Sequence, residues 1–256
     1  MVDRFRSKLL EDAGFSLHGF TKRAGGVSKG NFSSLNLAYE VGDDVANVET
    51  NLQRLKTSLH TDMPLLRVKQ VHGNHVTDAS LLVSEENLSW TKPPELEADG
   101  IFATEADVVL AVQTADCVPL LIADPDTGTV AAVHAGWRGA RKGVVRNCIR
   151  AMGSIGASAK SLLAAIGPCI CMTCYEVGEE VARHFPESSD PMKGEKGKFL
   201  FDIGLAVEVS LIAAGLTSTH IERINACTAC QTDALFSHRR TGEPTGRILS
   251  FISGVR

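Results

Sequence analysis

Between residues 108 and 133 three apolar runs, 108–112, 118–123 and 130–133, are separated by short polar or turn-forming stretches. Runs this short and this rich in Val, Leu and Ile suit buried strands better than helices. Asp124-Pro125-Asp126-Thr127-Gly128 has the chemistry of a tight turn. Pro presets φ, Asp bonds nearby backbone, and Gly tolerates positive φ. The second and third runs therefore read as an antiparallel hairpin. Folding it about Pro125 and Asp126 sets Cys117 opposite His134, with Cβ atoms about 4.5–5.5 Å apart. Pro119 counts mildly against a central strand, because it cannot donate to the ladder.

The rest of the chain carries shorter signals. Residues 15–20 alternate and predict a first strand. A Gly-rich basic loop follows, with Arg23, Gly25 and Gly26, where backbone N–H groups could approach an anion. Asp43 and Asp44 begin a predicted helix through His60, with Val45, Val48, Leu52, Leu55 and Leu59 at helical spacing. Residues 65–71 read as a strand ending at His72, and Gly73-Asn74 as a turn. Residues 82–94, with Pro93-Pro94, read as a surface excursion, and 97–104 as a return to the sheet. A helix is predicted over 140–152, with Trp137-Arg138-Gly139 at its start, where N–H groups favour anions. A strand over 161–166, a helix near 176–185, a loop over 186–198 and a strand at 199–202 follow. Asp202 is placed to cap a helix running to about Ala214, and 220–225 reads as a strand. The final segment gathers Arg239, Arg240 and Arg247, a pattern that fits phosphate or carboxylate recognition. No linker divides the chain, so one domain is expected.

Composition narrows the classes. At 256 residues the chain can bury a large core. A net charge of −4 and a pI near 6.1 argue against nucleic acid or an anionic membrane as main partner. No stretch approaches the roughly 20 apolar residues of a spanning helix, and the N-terminus lacks the apolar core of a signal peptide. The seven cysteines therefore read as reduced thiols or ligands rather than a disulfide framework. A soluble cytoplasmic protein is expected.

Two cysteine patterns bear on chemistry. His72, Cys117 and His134 all fall at strand ends, with His75 competing with His72. A Cys–His pair there is either a nucleophile pair or two ligands of one metal. Three ligands with an open position are the usual form of catalytic zinc, which lowers the pKa of bound water toward about 7. The second pattern is Cys171-x-x-Cys174 with Cys227-x-x-Cys230, formally a closed four-cysteine zinc site. The long intervening span and the extra Cys169 favour free thiols there instead.

Together the motifs resemble the YfiH-like family, also called the laccase-domain or multicopper polyphenol oxidase family. They are His18-Gly19-Phe20, Arg23-Ala24-Gly25-Gly26-Val27-Ser28, Ser34-Leu35-Asn36-Leu37, Gln70-Val71-His72-Gly73 and Ala98-Asp99-Gly100. They continue through Thr114-Ala115-Asp116-Cys117, His134-Ala135-Gly136-Trp137-Arg138-Gly139, Ile166-Gly167-Pro168 and Tyr175-Glu176-Val177-Gly178. Cys227-Thr228 and Ser237-His238-Arg239-Arg240 with Gly246-Arg247 complete them, His238 standing where the family often has Tyr.

The resemblance implies an α+β fold, with mixed sheets packed as a sandwich-like core flanked by helices. It implies a metal, usually zinc with copper possible, on His72, Cys117 and His134. It further implies a purine nucleoside enzyme combining adenosine deamination with phosphorolysis of adenosine, inosine, guanosine and methylthioadenosine. Arg23, Asn36, Arg138, Arg239, Arg240 and Arg247 are then candidate substrate or phosphate ligands. Cys117, Asp99 and Asp116 are candidates for the chemistry, the two aspartates as proton carriers or as groups orienting a histidine. Competing expectations are an amidase editing peptidoglycan precursors, a copper-dependent polyphenol oxidase and a non-enzymatic binding module. With only eight histidines and no His-x-His pair, a multicopper centre is disfavoured. Whether the chain is a monomer or a homodimer is left open.

Overall fold

In the computed structural model, residues 2–82, 89–104, 107–242 and 244–254 are described. The strands in chain order are β1 Arg4–Phe5, β2 His18–Thr21, β3 Leu65–Arg67, β4 Val76–Asp78, β5 Gly100–Ala103, β6 Val109–Thr114 and β7 Val118–Ala123. They continue as β8 Val130–Ala135, β9 Leu163–Ile166, β10 Glu176–Gly178, β11 Ser189–Pro191, β12 Lys198–Phe201, β13 Ile221–Arg223 and β14 Ile248–Ser253. The helices are α1 Lys8–Asp12, α2 Val45–Leu59, α3 Trp137–Lys142, α4 Val144–Ser154, α5 Glu179–Ala182, α6 Ile203–Ala213 and α7 His238–Thr241.

Two mixed sheets form the centre. One runs β1-β2-β14-β6-β3 and the other β13-β9-β7-β8-β5-β4, with β10-β12-β11 as a small third sheet. Most pairs are antiparallel; β3–β6, β4–β5 and β13–β9 are parallel. The two large sheets pack face to face through Phe20, Leu110, Val112 and Ile252 on one side and Ile101, Leu121, Ala123 and Ala132 on the other. The outer face of the five-stranded sheet lies under α2, whose Leu52 and Leu55 join Val109, Ala111, Leu249 and Phe251. The outer face of the six-stranded sheet lies under α4 and α6, which bring Val145, Met152, Val207 and Leu211 onto Leu120, Ile122 and Val133. The result is the expected α+β sandwich with helices outside. Because both faces of each central sheet are covered, β7 and β8 are buried at every position, so they read as continuous apolar runs rather than alternating ones.

Several elements follow the sequence closely. Asp44 caps α2 by accepting from the Ala46 N–H, and His60 in the left-handed region ends it. Val45 alone of the predicted stripe stays exposed. Asp202 caps α6 by accepting from the Leu205 N–H.

Other elements depart from it. The helix predicted from residue 140 begins at Trp137 and breaks at Gly143, whose φ of 82° interrupts the helical path between α3 and α4. Where a helix was expected over 176–185, residues 176–178 pair with β12 and only α5 is helical. Residues 83–88 of the expected surface excursion lie outside the described residues. Trp90, beyond them, is buried in the α2 core with its indole N–H on the Met63 carbonyl. That segment therefore returns to the interior.

The hairpin register also differs. A four-residue loop, Pro125 to Gly128, is closed by the Asp124 N–H on the Thr129 carbonyl and the Gly128 N–H on the Asp124 carbonyl. His134 consequently faces Pro119, and Cys117 stands just before the ladder rather than opposite His134. Pro119 is accommodated although β7 is central. Its carbonyl accepts from Gly167, just past the end of β9, so its missing N–H falls where the neighbouring strand has stopped.

Candidate metal centre and cleft

The site lies at the ends of β6, β7 and β8. His134 is in β8, Cys117 directly precedes β7, and His72 lies in the bend after β3. One ligand atom from each of the three lies within 4.8 Å of the others. The rings of His72 and His134 meet edge to face at 4.8 Å between centroids. Backbone strain helps bring them together. His72 (φ 57°) and Asp116 (φ 93°), the latter next to Cys117, occupy the left-handed region that non-glycine residues seldom adopt. Gly136 leaves room for the cluster, since a Cβ there would stand 3.0 Å from Cys117 Sγ and 3.1 Å from His72 Cδ2.

Asp99 organises the ligands from behind. It is fully buried, and its Oδ1 accepts from His134 Nδ1 at 2.8 Å and from the His72 N–H at 2.9 Å. Its Oδ2 accepts from the Gly73 N–H at 2.6 Å. Burial raises the Asp99 pKa, but the bonds from His134, Gly73 and His72 outweigh it and hold the carboxyl below its ordinary value. An ionised Asp99 fixes the proton on His134 Nδ1 and leaves Nε2 as the free ring nitrogen.

Without a metal, burial also pushes the Cys117 thiol up, yet His134 and His72 bring it down to about 6. Burial pushes His134 down, while the Cys117 thiolate and Asp99 raise it to about 9. The two shifts agree on a thiolate–imidazolium pair. By contrast, burial alone drives Cys148 up to about 12, as an inert core thiol requires. One thiolate and two imidazoles, that of His134 with its tautomer fixed by Asp99, suit zinc, and copper as well; the donor set thus fits the expected metal.

The ligands open into a cleft of about 540 Å³ whose walls include Thr114, Asp116, Trp137, Arg138, Tyr175, Arg239 and Arg247. The Arg138 guanidinium lies 4.5 Å from the Trp137 ring centroid and that of Arg239 4.9 Å from Tyr175. Arg247 is half-buried, and one of its nitrogens donates to the Thr245 and Gly246 carbonyls. Asp116 accepts from the Arg239 N–H and the Thr228 hydroxyl, both at 2.6 Å, which fixes the wall next to Cys117. Gln70 and Gln113 exchange paired bonds of 2.7 Å at the cleft edge.

Three expected ligands are not part of these walls. Arg23 spends its guanidinium on the Ser33 and Thr232 carbonyls and lies over Phe236. Arg240 donates to the carbonyls of Thr228, Ala229 and Leu235. Asn36 is buried and bonds Ala38, Asp43 and the Arg247 N–H. Each of the three bonds protein partners and lies outside the cleft lining. The Gly-rich loop likewise turns the Gly26 and Val27 N–H groups onto Ser34 and Asn51 rather than an anion. His75 stands outside the ligand group.

Residues that the reading of the chain gave no role include Gln113, Tyr175 and Thr114, whose buried hydroxyl has no partner within the protein. The available signal was polarity, since Gln113 and Thr114 directly follow an apolar run. The four cysteines expected to be free thiols are also brought together, with one Sγ from each of Cys171, Cys174, Cys227 and Cys230 within 4.8 Å of the rest.

Comparison with known proteins shows the family. The family described as multi-copper polyphenol oxidoreductase laccase matches residues 17–254. Purine nucleoside phosphorylase YlmD of Geobacillus stearothermophilus is 36% identical over 247 residues, covering 91% of this chain and 88% of the relative. A purine nucleoside phosphorylase of Bacteroides thetaiotaomicron is 35% identical over 246 residues, covering 92% and 90%. The crystal structure of YlmD from Geobacillus stearothermophilus superposes with a TM-score of 0.87 at 31% identity, covering 100% of this chain and 96% of that one. YfiH from Bacillus licheniformis gives 0.84 at 28% identity, covering 92% and 91%. With residues 17–254 matched and relatives 35–36% identical over nine-tenths of its length, the chain belongs to the multi-copper polyphenol oxidoreductase laccase family.

Proposed function

We propose that this chain is a zinc-dependent purine nucleoside phosphorylase that also deaminates adenosine. The observation that carries the reading is that one cleft is lined both by His72, Cys117 and His134 and by Arg138, Arg239 and Arg247. Relatives called purine nucleoside phosphorylases point to the same substrate class. In phosphorolysis a phosphate oxygen bonds C1′ of the ribose as the C1′–N9 bond breaks. The electron pair leaves on the purine, which takes up a proton. Arg138, Arg239 and Arg247 offer the cationic donors that hold a phosphate dianion for this attack. Asp116 keeps Arg239 in place through its backbone N–H. Trp137 and Tyr175 offer aromatic faces to a planar base. In deamination water adds at C6 and ammonia leaves, giving inosine. A zinc ion on the three ligands supplies Lewis acidity beside the substrate. Asp99 holds both histidines in ligating orientation throughout.

Incubating the purified protein with adenosine, inosine or methylthioadenosine, with and without phosphate, tests the reading by chromatography of bases and nucleosides. Phosphate-dependent release of base is expected, with inosine forming from adenosine in its absence. Arg138→Ala should raise the KM for phosphate about tenfold or more, because a charge-assisted bond is lost, and leave inosine formation largely intact. If neither free base nor inosine accumulates, the reading fails.

A second reading rests on the Cys117–His134–Asp99 chain, which has the nucleophile, base and orienting group of a thiol amidase. Its substrate would be a peptidoglycan precursor, and mass spectrometry of muropeptides from a deletion strain decides it. An unaltered first residue of the stem peptide rules it out.

A further inference from the structure

The four cysteines away from the cleft form a second constellation that the proposed reaction does not use. Cys171 and Cys174 flank the short turn between β9 and β10, and Cys227 and Cys230 flank the turn that follows β13. These are separate loops, joined by parallel backbone pairing of residues 169 and 227, with the Thr228 N–H on the Cys169 carbonyl. Cys174 and Cys230 have Sγ atoms 3.4 Å apart, Cys171 and Cys230 3.9 Å, and all four Sγ atoms lie within 4.8 Å of one another. A tetrahedral ion bound at about 2.3 Å to each thiolate sets neighbouring sulfurs about 3.8 Å apart, whereas a disulfide requires about 2.05 Å. The Cys171 N–H also points at Cys227 Sγ at 3.2 Å, a donor suited to a thiolate acceptor.

We infer that Cys171, Cys174, Cys227 and Cys230 bind one zinc ion as a closed tetrathiolate site separate from the His72–Cys117–His134 centre. Four sulfur ligands leave no open position, so the site is structural. Its place in the fold says what it holds. Tyr175 directly follows Cys174 and lines the cleft. Thr228 directly follows Cys227, donates its hydroxyl to Asp116, and accepts from Arg240 through its carbonyl. The ion therefore ties the loop that carries Tyr175 into the cleft wall to the loop whose Thr228 braces Asp116 beside Cys117. The free thiols expected from the wide sequence spacing give way to a site closed by the parallel pairing of β9 and β13.

The test uses the full chain purified without chelator or added metal, in a Cys117→Ala background that removes the thiolate of the other centre. One equivalent of zinc per chain is expected to remain. Replacement with cobalt(II) should give the intense visible bands of a four-sulfur tetrahedral ion. Cys227→Ser in the same background should abolish both, and limited proteolysis should then cut faster within 171–175 and 227–232. If Cys227→Ser does not fold, the stoichiometry and cobalt spectrum of the Cys117→Ala protein decide alone. A metal-free Cys117→Ala protein, a cobalt spectrum of mixed nitrogen and sulfur ligation, or an intact-mass shift on reduction that reveals a disulfide among the four would each overturn the inference. None of these readouts requires a nucleoside, so this site and the proposed activity stand or fall separately.

Discussion

The fully buried Asp99 carboxylate accepts from the His134 ring and from the backbone N–H groups of His72, Gly73 and, at 3.4 Å, Val71, one donor for each of its roughly four acceptor sites. Asp99→Asn puts an amide NH₂ where one oxygen stood, opposing a donor with a donor. Metal affinity at the His72–Cys117–His134 centre should fall roughly 10–100-fold, the usual cost of losing such an outer partner. Chelator competition measures it, and an affinity equal to wild type would deny Asp99 its orienting part. The thiol offers a second handle. In metal-stripped protein the imidazoles hold Cys117 down at about 6, and only the thiolate reacts with iodoacetamide. Alkylation of Cys117, followed by peptide mass spectrometry, should therefore be slow below that pH, half-maximal near it and complete above it. In His134→Ala the midpoint should move upward, because burial then meets less opposition; an unmoved midpoint would contradict the pairing.

At the scale of elements, the strand ends aim the ligands and the helices support them. Asp202 caps α6 at Leu205 and pairs with Arg223, and the next residue, Ile203, lines the cleft. Asp202→Ala should cost about 1–2 kcal/mol, mostly through the lost cap, read as a lower urea midpoint. A cost near zero would mean that α6 is held by its apolar face alone. The elements also differ in how far they could be read. The stripe of α2 and the caps at Asp44 and Asp202 were legible because they depend on neighbours a few residues away. Strand β14 received no assignment, although it is the central member of its sheet. Its six residues are all buried between β2 and β6, so they lack the alternation that marks a half-exposed strand. The hairpin register slipped for a related reason: its loop is closed by Asp124–Thr129 bonds that turn chemistry alone does not single out.

On the scale of the whole molecule, two sheets lie between helices, and the interface between them bears most directly on the site. Leu121 sits there fully buried, on the strand that begins beside Cys117. Leu121→Ala should cost about 2–5 kcal/mol, the range for a large-to-small change in a core that relaxes only partly. Denaturant unfolding checks it, and a loss below 1 kcal/mol would show that the sheets close over the gap. Among the described residues no helix is long and apolar enough to cross a membrane.

Read along the chain, residue types single out candidates for chemistry: the His72, Cys117 and His134 set, Asp99, and the late arginines. Residue type carries ligand chemistry, and strand ends can be read locally. Which of those groups meet is a matter of the folded chain. Folding puts Arg138, Arg239 and Arg247 on the cleft walls, while Arg23, Arg240 and Asn36 lie off those walls and bond protein partners. It also draws two distant Cys-x-x-Cys pairs to one point. Such meetings depend on sheet order and on which carbonyls lie within reach, and both are set by packing between segments far apart along the chain.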